Sequence, residues 1–405
     1  MRSRVLTPSG MLIPAAALAA CGGDPGLTGE AQVQVRDSVG VRIVEYVKVP
    51  EVEPPFALAA EPLYRHGANP GDYDFQFVDA GRLFPDGSAV VAWYSEVAVL
   101  SPDGTTYEVL ARTGEGPGEV ISPYSVFVLG QDSVLVPDDR LSRLTLFVGD
   151  SVARIVSLPR VPHVGVAGIG SSGELLLMNR FAYRSWLDIE EEWLAGHMTL
   201  FDIETGALDT VASYDHFHRE RSGQPRPIIR PVGEVTVAAG RFVYTRSDRP
   251  EITWRMPDGK VTRIVRWRPE PTLLTEELLE GGEAYNRMLG RRHYGASEAR
   301  LEEIVQEDMS RYRATIGQPI PRFGSPFADD AGNVWLPSYR PAYPEEASPY
   351  TVISSDGEWL GRVETPPRFR ILDVAGGLVL GVLRDDFDVE SVAVYELATK
   401  TPAVR

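Results

Sequence analysis

The chain has 405 residues, of which 43% are hydrophobic and 24% are charged, values typical of globular proteins rather than of disordered or multi-span membrane chains. Its formal net charge of −17 repels phosphate backbones, so we expect no nucleic-acid partner. The single cysteine, Cys21, excludes an intramolecular disulfide and any metal site built from several cysteines.

The first residues have the pattern of a signal peptide. Arg2 and Arg4 precede a mostly apolar run that is too short to span a membrane comfortably. The run ends in Leu18-Ala19-Ala20-Cys21, which resembles a bacterial lipobox. That resemblance implies cleavage after Ala20, diacylation of the Cys21 thiol and acylation of the new amino terminus. The alternatives are an ordinary secretory signal with an incidental cysteine, or a buried core thiol.

From this pattern we predict a lipoprotein signal peptide at residues 1–20 and a flexible, glycine-rich tether at residues 21–36. Several acyl chains on one residue would anchor strongly, because each buried methylene contributes about 0.8 kcal/mol. We therefore expect a lipid-anchored protein of the cell envelope, at the outer membrane or facing the periplasm. The membrane is therefore an expected partner of the protein, contacted through the lipid anchor.

The remainder of the chain carries an internal repeat. Leu63-Tyr64-Arg65-His66-Gly67 recurs as Leu110-Ala111-Arg112-Thr113-Gly114, an offset of 47 residues. That period suits one four-stranded blade of a β-propeller, and the segments alternate as strands do. Asp-Gly pairs lie between the β-prone runs, where glycine allows the positive φ of a tight hairpin. These pairs are at positions 86–87, 103–104, 258–259 and 356–357.

The fold class predicted from this repeat is all-β, a six-bladed β-propeller over residues 37–405. We expect the blades near residues 77–111, 124–158, 164–213, 234–267, 326–363 and 369–397. The last blade shows only three good strands, so Ala57–Arg65 is predicted to supply its fourth strand and close the ring. Val41–Tyr46 is a second strand candidate, either for this closure or as an added outer strand.

One stretch lacks strand alternation. Residues 269–318 carry Leu, Met, Ile and Glu at helical spacing, with Ser297 as a plausible N-cap for a helix at Glu298–Ala314. A further helix is predicted at Thr275–Leu289. We interpret the whole stretch as a helical insertion between blades four and five, either a functional loop or a packing cover.

Three motifs carry a resemblance to a known family. They are Gly114–Glu119 with Asp132–Val136, Asp37–Val41 and Gly332–Leu336. They resemble bacterial six-bladed β-propeller lipoproteins with NHL-type repeats, and the match spans about Asp37 to Leu397. The resemblance implies the fold and a place in the cell envelope, and it implies no particular ligand.

Aromatic and arginine residues in extended connections form the first candidate binding set. Such residues are enriched at binding hot spots, although they also anchor loops. The set comprises Tyr183, Arg184, Trp186, Tyr339 and Arg340, with Trp193 close by.

Acidic turns form the second candidate set, with Asp138 and Asp385 as its principal members. Carboxylates from several blades could converge on the propeller axis and hold calcium, although acidic turns are common in so negative a chain. His216 and His218 could face one side of a strand and hold a metal, or belong to a solvated loop. No residue is assigned as catalytic or as a metal ligand, and no cofactor is expected.

The function predicted from the sequence is a binding scaffold. We expect a monomer whose partner is an envelope protein, a peptide or a glycan. The alternative is a propeller hydrolase or lactonase with an axial divalent metal.

Overall fold

The computed structural model describes most of the chain from Val33 onwards. The described residues are 33–67, 75, 77–94, 96–158, 164–170, 173–179, 193–218, 231–279, 282–283, 286–287, 297–339, 348–386 and 389–400. The lipobox with Cys21, and the candidate residues Tyr183, Arg184, Trp186 and Arg340, lie outside them.

Twenty-seven strands and one long helix are found among the described residues. In chain order the strands are β1 (Val33–Ser38), β2 (Val41–Tyr46), β3 (Phe56–Leu58), β4 (Tyr64–His66), β5 (Val78–Leu83), β6 (Ala89–Trp93), β7 (Glu96–Leu100), β8 (Tyr107–Ala111), β9 (Phe127–Val128), β10 (Ser133–Asp138), β11 (Arg143–Val148), β12 (Ser151–Ser157), β13 (Val164–Ile169), β14 (Leu175–Asn179), β15 (Trp193–Phe201), β16 (Leu208–His218), β17 (Gly233–Ala238), β18 (Arg241–Arg246), β19 (Arg249–Arg255), β20 (Val261–Trp267), β21 (Phe327–Ala328), β22 (Val334–Pro337), β23 (Tyr350–Ile353), β24 (Trp359–Val363), β25 (Phe369–Ala375), β26 (Leu378–Arg384) and β27 (Glu390–Thr399).

These strands form six antiparallel sheets, which are the blades of a β-propeller. Each blade runs in simple up-and-down order: β5–β8, β9–β12, β13–β16, β17–β20, β21–β24, and β25–β27 completed by the N-terminal strands. The predicted fold class and all six blade positions are confirmed. The Asp-Gly turns also lie where expected, with φ of 87° at Gly87 and 83° at Gly259.

The apolar core is divided among the interfaces between blades. Six clusters of buried side chains each combine residues of two consecutive blades, and one of them joins blade six to blade one through Leu380 and Val91. Since every blade is packed against a neighbour on both sides, the ring has no open interface. Burying a large apolar side chain contributes roughly 1.5–3 kcal/mol, so these interfaces stabilise the disc.

The ring closes through the N-terminal segment, as predicted. β4 pairs antiparallel with β27, with Arg65 opposite Ala393, and β3 pairs with the far end of the same strand, with Ala57 opposite Ala398. The last blade is thereby built from both ends of the chain.

The second strand candidate has a different position. β2 pairs in parallel with β20, the outer strand of blade four, and β1 pairs with β2 as the sheet's edge. Because β1 begins at Val33, residues 33–36, which we expected to belong to the tether, form part of this strand.

Residues 47–55 lead from β2 to β3 and cross the outer strand of blade five. There, a Cβ on Gly361 would lie 2.6 Å from the carbonyl oxygen of Val52. The Tyr46 hydroxyl accepts a hydrogen bond from the backbone N–H of Trp359 at 2.8 Å and donates one to the Gly357 carbonyl. Residues 41–58, which we call the strap, therefore hold the outer edges of blades four, five and six.

The helical insertion is confirmed between blades four and five. Helix α1 (Glu298–Arg313) is capped by Ser297, whose side chain accepts a hydrogen bond from the Arg300 N–H. It buries Leu301, Val305 and Met309 in the small core of the insertion. Within the first predicted helix, Thr275–Leu289, the described residues form a 3₁₀ turn at Glu277–Leu279 and are helical at 282–283 and 286–287.

Candidate functional site

The two faces of the disc differ in the length of their connections. Antiparallel order places the second-to-third strand connections and the links between blades on one face, which we call the loop face. These connections include 139–142, 219–232, 338–349 and the insertion at 268–326. The opposite face, the turn face, carries the short hairpins such as those at 84–88 and 256–260.

The described candidate residues share the loop face. Asp138, Tyr339 and Asp385 each lie at or just after the end of a second strand, in blades two, five and six respectively. These three candidate residues therefore occupy equivalent positions in different blades, although each has its own local role.

The Asp138 carboxylate binds three backbone N–H groups. Its side chain is buried, with 2% exposure for the residue, and its carboxylate accepts hydrogen bonds from the N–H groups of Ile121, Ser122 and Leu141 at 2.6, 3.1 and 2.8 Å. Buried carboxylates need such partners. Asp138 thus ties the connection from blade one to the second strand of blade two.

The other acidic turns are engaged in the same way. Asp385 accepts from the Val389 N–H at 2.9 Å, and Asp330 accepts from the Gly376 N–H of the next blade at 2.8 Å. Asp329 accepts from the Trp335 indole at 2.9 Å, and burial raises its pKa. Among the described residues, no three His, Cys, Asp or Glu side chains are grouped as metal ligands.

Tyr339 packs against the core of the helical insertion. It therefore joins the insertion to the second-to-third strand connection of blade five. The insertion covers part of the loop face and has a packing role at this point.

A cluster at the border of blades three and four combines groups that the sequence left separate. Arg246, at the end of β18, places its guanidinium carbon 4.1 Å from the centre of the Trp193 ring on β15. The same guanidinium donates to Asp215 at 2.5 Å and to both carboxylate oxygens of Asp248 at 2.8 and 3.0 Å. With only 7% of its side chain exposed, Arg246 fixes an aromatic ring and two carboxylates in one place.

The two histidines flank this cluster without forming a pair. His218 contacts Trp193 edge to face, at 5.1 Å between ring centres. His216 lies at a register shift between β15 and β16, and its Nδ1 donates to the Gly233 carbonyl at 2.9 Å. The His216 ring packs against Tyr214, at 5.7 Å between ring centres, whereas His218 packs against Trp193.

We call Trp193, Asp215, His218, Arg246 and Asp248 the rim cluster. Trp193 is half-buried, and the carboxylates of Asp215 and Asp248 are 48% and 35% exposed, so aromatic and acidic groups remain available to a partner. Sequence reasoning noticed Trp193 and His218 but missed Arg246 and Asp248. Both lie at or just after the end of β18, the second strand of blade four, where the chain reaches the loop face, and the separate strands of this blade were not predicted from the sequence.

Two tyrosines, Tyr244 and Tyr214, lie next to the rim cluster. The Tyr244 hydroxyl donates to the Asp215 carbonyl at 3.1 Å, and its ring lies 5.5 Å from that of Tyr214. Burial raises the pKa of Tyr244, so it remains a neutral donor. The cluster holds aromatic and charged groups for recognition, and no serine or cysteine nucleophile belongs to it.

Comparison with known proteins agrees with the fold. No family model matches the chain, and neither does any curated protein. A protein described as exported, from Bacteroides fragilis, is similar over 89% of this chain and 100% of its own, at 11% identity and a TM-score of 0.51.

Two solved structures from Agrobacterium tumefaciens have lower TM-scores. The calcium-binding protein regucalcin is 11% identical over 86% of this chain and 98% of its own, with a TM-score of 0.43. A protein assigned as TolB is 12% identical over 80% of this chain and 91% of its own, with a TM-score of 0.40. At these identities the likeness concerns the fold alone.

Proposed function

We propose that this protein is a lipid-anchored component of the cell envelope whose propeller binds a partner through the loop face. The observation that carries the proposal is the asymmetry of the disc. The connections of variable length and the rim cluster lie on one face, whereas the other face has short hairpins.

The chemistry of the rim cluster favours a protein, peptide or glycan partner. Trp and Arg are enriched at binding hot spots, and the Arg246 stack presents the Trp193 ring in a fixed orientation. A group that is already ordered loses less conformational entropy on binding. The two half-exposed carboxylates add hydrogen-bond acceptors beside that ring.

The anchor is supported by the residues that precede the propeller. Leu18-Ala19-Ala20-Cys21 resembles a lipobox, and residues 22–32 separate Cys21 from strand β1 in the chain. The fold relative from Bacteroides fragilis is described as exported, which agrees with an envelope location. Within the described residues, none of the helices has the length and apolar character to cross a bilayer.

The anchor is tested with Cys21→Ser in the native organism, with native cells as the control. The native protein is expected in the membrane fraction and to incorporate labelled palmitate. The variant is expected to lose the label and leave the membrane fraction. Unchanged membrane partitioning of the variant would refute the anchor.

The binding face is tested by photo-crosslinking in cells. A photoreactive amino acid replaces Tyr94 on the loop face, which is 66% exposed, or Asp103 on the turn face of the same blade. We expect discrete adducts from position 94 and none from position 103. Adding Trp193→Ala should weaken the adducts. Equal adducts from both faces, or adducts from position 103 alone, would refute the proposal.

A further inference from the structure

A cavity of about 200 Å³ lies between blades four and five, beside the strap and below the helical insertion. Its apolar wall is formed by Trp267, Phe323 and Trp359, and Val49 of the strap closes one side. The volume is below the roughly 300–1,000 Å³ of cavities that hold drug-sized ligands. A ligand that fits must therefore be small.

Two arginines line the same cavity. Arg322 donates to the Glu270 carbonyl at 2.7 Å, and Arg362 lies on the outer strand β24. Neither guanidinium has a carboxylate within 4.0 Å among the described residues, whereas Arg263 and Arg268, also near the strap, pair with Asp356 and Glu45. Glu270 also lines the cavity, but its carboxylate forms no ion pair with either arginine, and Arg362 is exposed at the cavity's edge.

We propose that this cavity binds a small organic carboxylate with a flat apolar body. The carboxylate is held by Arg322 and Arg362, because guanidinium groups match carboxylate geometry. The apolar body lies among Trp267, Phe323 and Trp359. This site is distinct from the rim cluster and does not depend on the partner proposed for the loop face.

The test uses the full-length protein in detergent and two matched probes, phenylacetate and its neutral analogue phenylacetamide, measured by calorimetry. We expect phenylacetate to bind at least ten-fold more tightly, since a hydrogen bond to a charged group contributes about 1.5–3 kcal/mol. Equal affinities, or no binding of either probe at millimolar concentration, would overturn the proposal. Excess inorganic phosphate should compete weakly, and full displacement would show a general anion site without a role for the apolar wall.

Substitutions at the cavity test which residues contact the bound probe. Arg362→Gln is expected to weaken phenylacetate about ten-fold and to leave phenylacetamide unchanged. Arg154→Gln, on the outer strand of blade two, is the control and should change neither affinity. Trp359→Ala removes one ring of the apolar wall, and it should weaken both probes. Unchanged phenylacetate binding by Arg362→Gln would refute the assignment.

Hydrogen exchange locates the probe. Bound phenylacetate should protect residues 267–272 and 359–363. Protection confined to β15 and β18 would place the probe at the rim cluster and contradict the site.

Discussion

The guanidinium of Arg246 lies against the indole of Trp193, at 4.1 Å from its ring centre, although the two residues belong to different blades. This contact joins blades three and four at the loop face. Arg246 also pairs with Asp215 of blade three and with Asp248 of its own blade. One side chain therefore both connects two blades and arranges the groups that a partner would meet.

Replacing Arg246 should destabilise the protein more than replacing an exposed arginine. Arg246→Met removes a buried guanidinium and leaves the partly exposed carboxylates of Asp215 and Asp248 without their cation. We expect a loss of about 1–3 kcal/mol in the free energy of unfolding. Arg266→Met, which breaks the more exposed pair with Glu251, should cost less than about 1 kcal/mol. Urea denaturation measures both. Equal losses would show that Arg246 has no special structural role.

The strap provides a second prediction. Gly361 has a φ of +115°, and a Cβ there would meet the Val52 carbonyl oxygen at 2.6 Å and the Pro54 nitrogen at 3.0 Å. Gly361→Ala should therefore displace residues 47–55 and cost more than about 2 kcal/mol, because backbone strain and a steric clash add.

Gly376→Ala is the matched control for this variant. Gly376 also has a positive φ, of +59°, but nothing lies within 4 Å of its added Cβ. Only backbone strain of about 1 kcal/mol is expected. Thermal denaturation compares the two variants, and hydrogen exchange should show faster exchange at residues 47–55 in Gly361→Ala alone. Similar behaviour of the two would argue against a tightly packed strap.

The buried carboxyl group of Asp373 should make the stability of the folded protein depend on pH. Its carboxylate is buried and accepts a hydrogen bond from the Leu83 N–H of the next blade at 2.9 Å. Burial raises its pKa in the folded protein, partly opposed by Arg82. The folded state then binds this proton more tightly than the unfolded state. As pH rises from about 4 through the folded pKa, this group therefore lowers the stability of the native protein.

Asp373→Asn removes that titration and keeps an acceptor for the Leu83 N–H. The stability of this variant relative to the native protein should increase with pH above about 4 and then level off. Asp103→Asn is the opposite control, because hydrogen bonds from Ser101 and Thr105 lower the pKa of Asp103 to about 2. Its relative stability should fall as pH rises from about 2 to 4. Denaturation at a series of pH values tests both, and a flat difference for Asp373→Asn would contradict the assignment.

The sequence was sufficient to predict the blades, because each is a local structure. The 47-residue offset and the Asp-Gly turns mark strands that pair with their neighbours in the chain. The same offset assigned residues 57–65 to the last blade, and the pairing of Arg65 with Ala393 confirms it. The N-cap at Ser297 was likewise visible in a local pattern.

Relationships between distant segments were not predictable. The alternation in Val41–Tyr46 indicates a strand, but nothing local indicates its parallel pairing with β20. Arg246 and Trp193 are brought together only by the packing of two blades. Asp138 could be interpreted as a metal ligand in sequence because two of the three backbone N–H groups that it accepts from, those of Ile121 and Ser122, belong to an earlier segment.

The closed ring underlies the loop face, the strap and the cavity, and a designed disulfide tests it most directly. Ala57 and Ala398 are opposite each other on β3 and β27, where the separation of paired strands suits a disulfide. In a Cys21→Ser background, Ala57→Cys with Ala398→Cys should oxidise readily in the folded protein and raise its stability by about 2–4 kcal/mol. The pair Ala57→Cys with Ala375→Cys, on the first strand of the same blade, should remain reduced. Free thiols at 57 and 398 in the folded protein would contradict closure by the N-terminal segment.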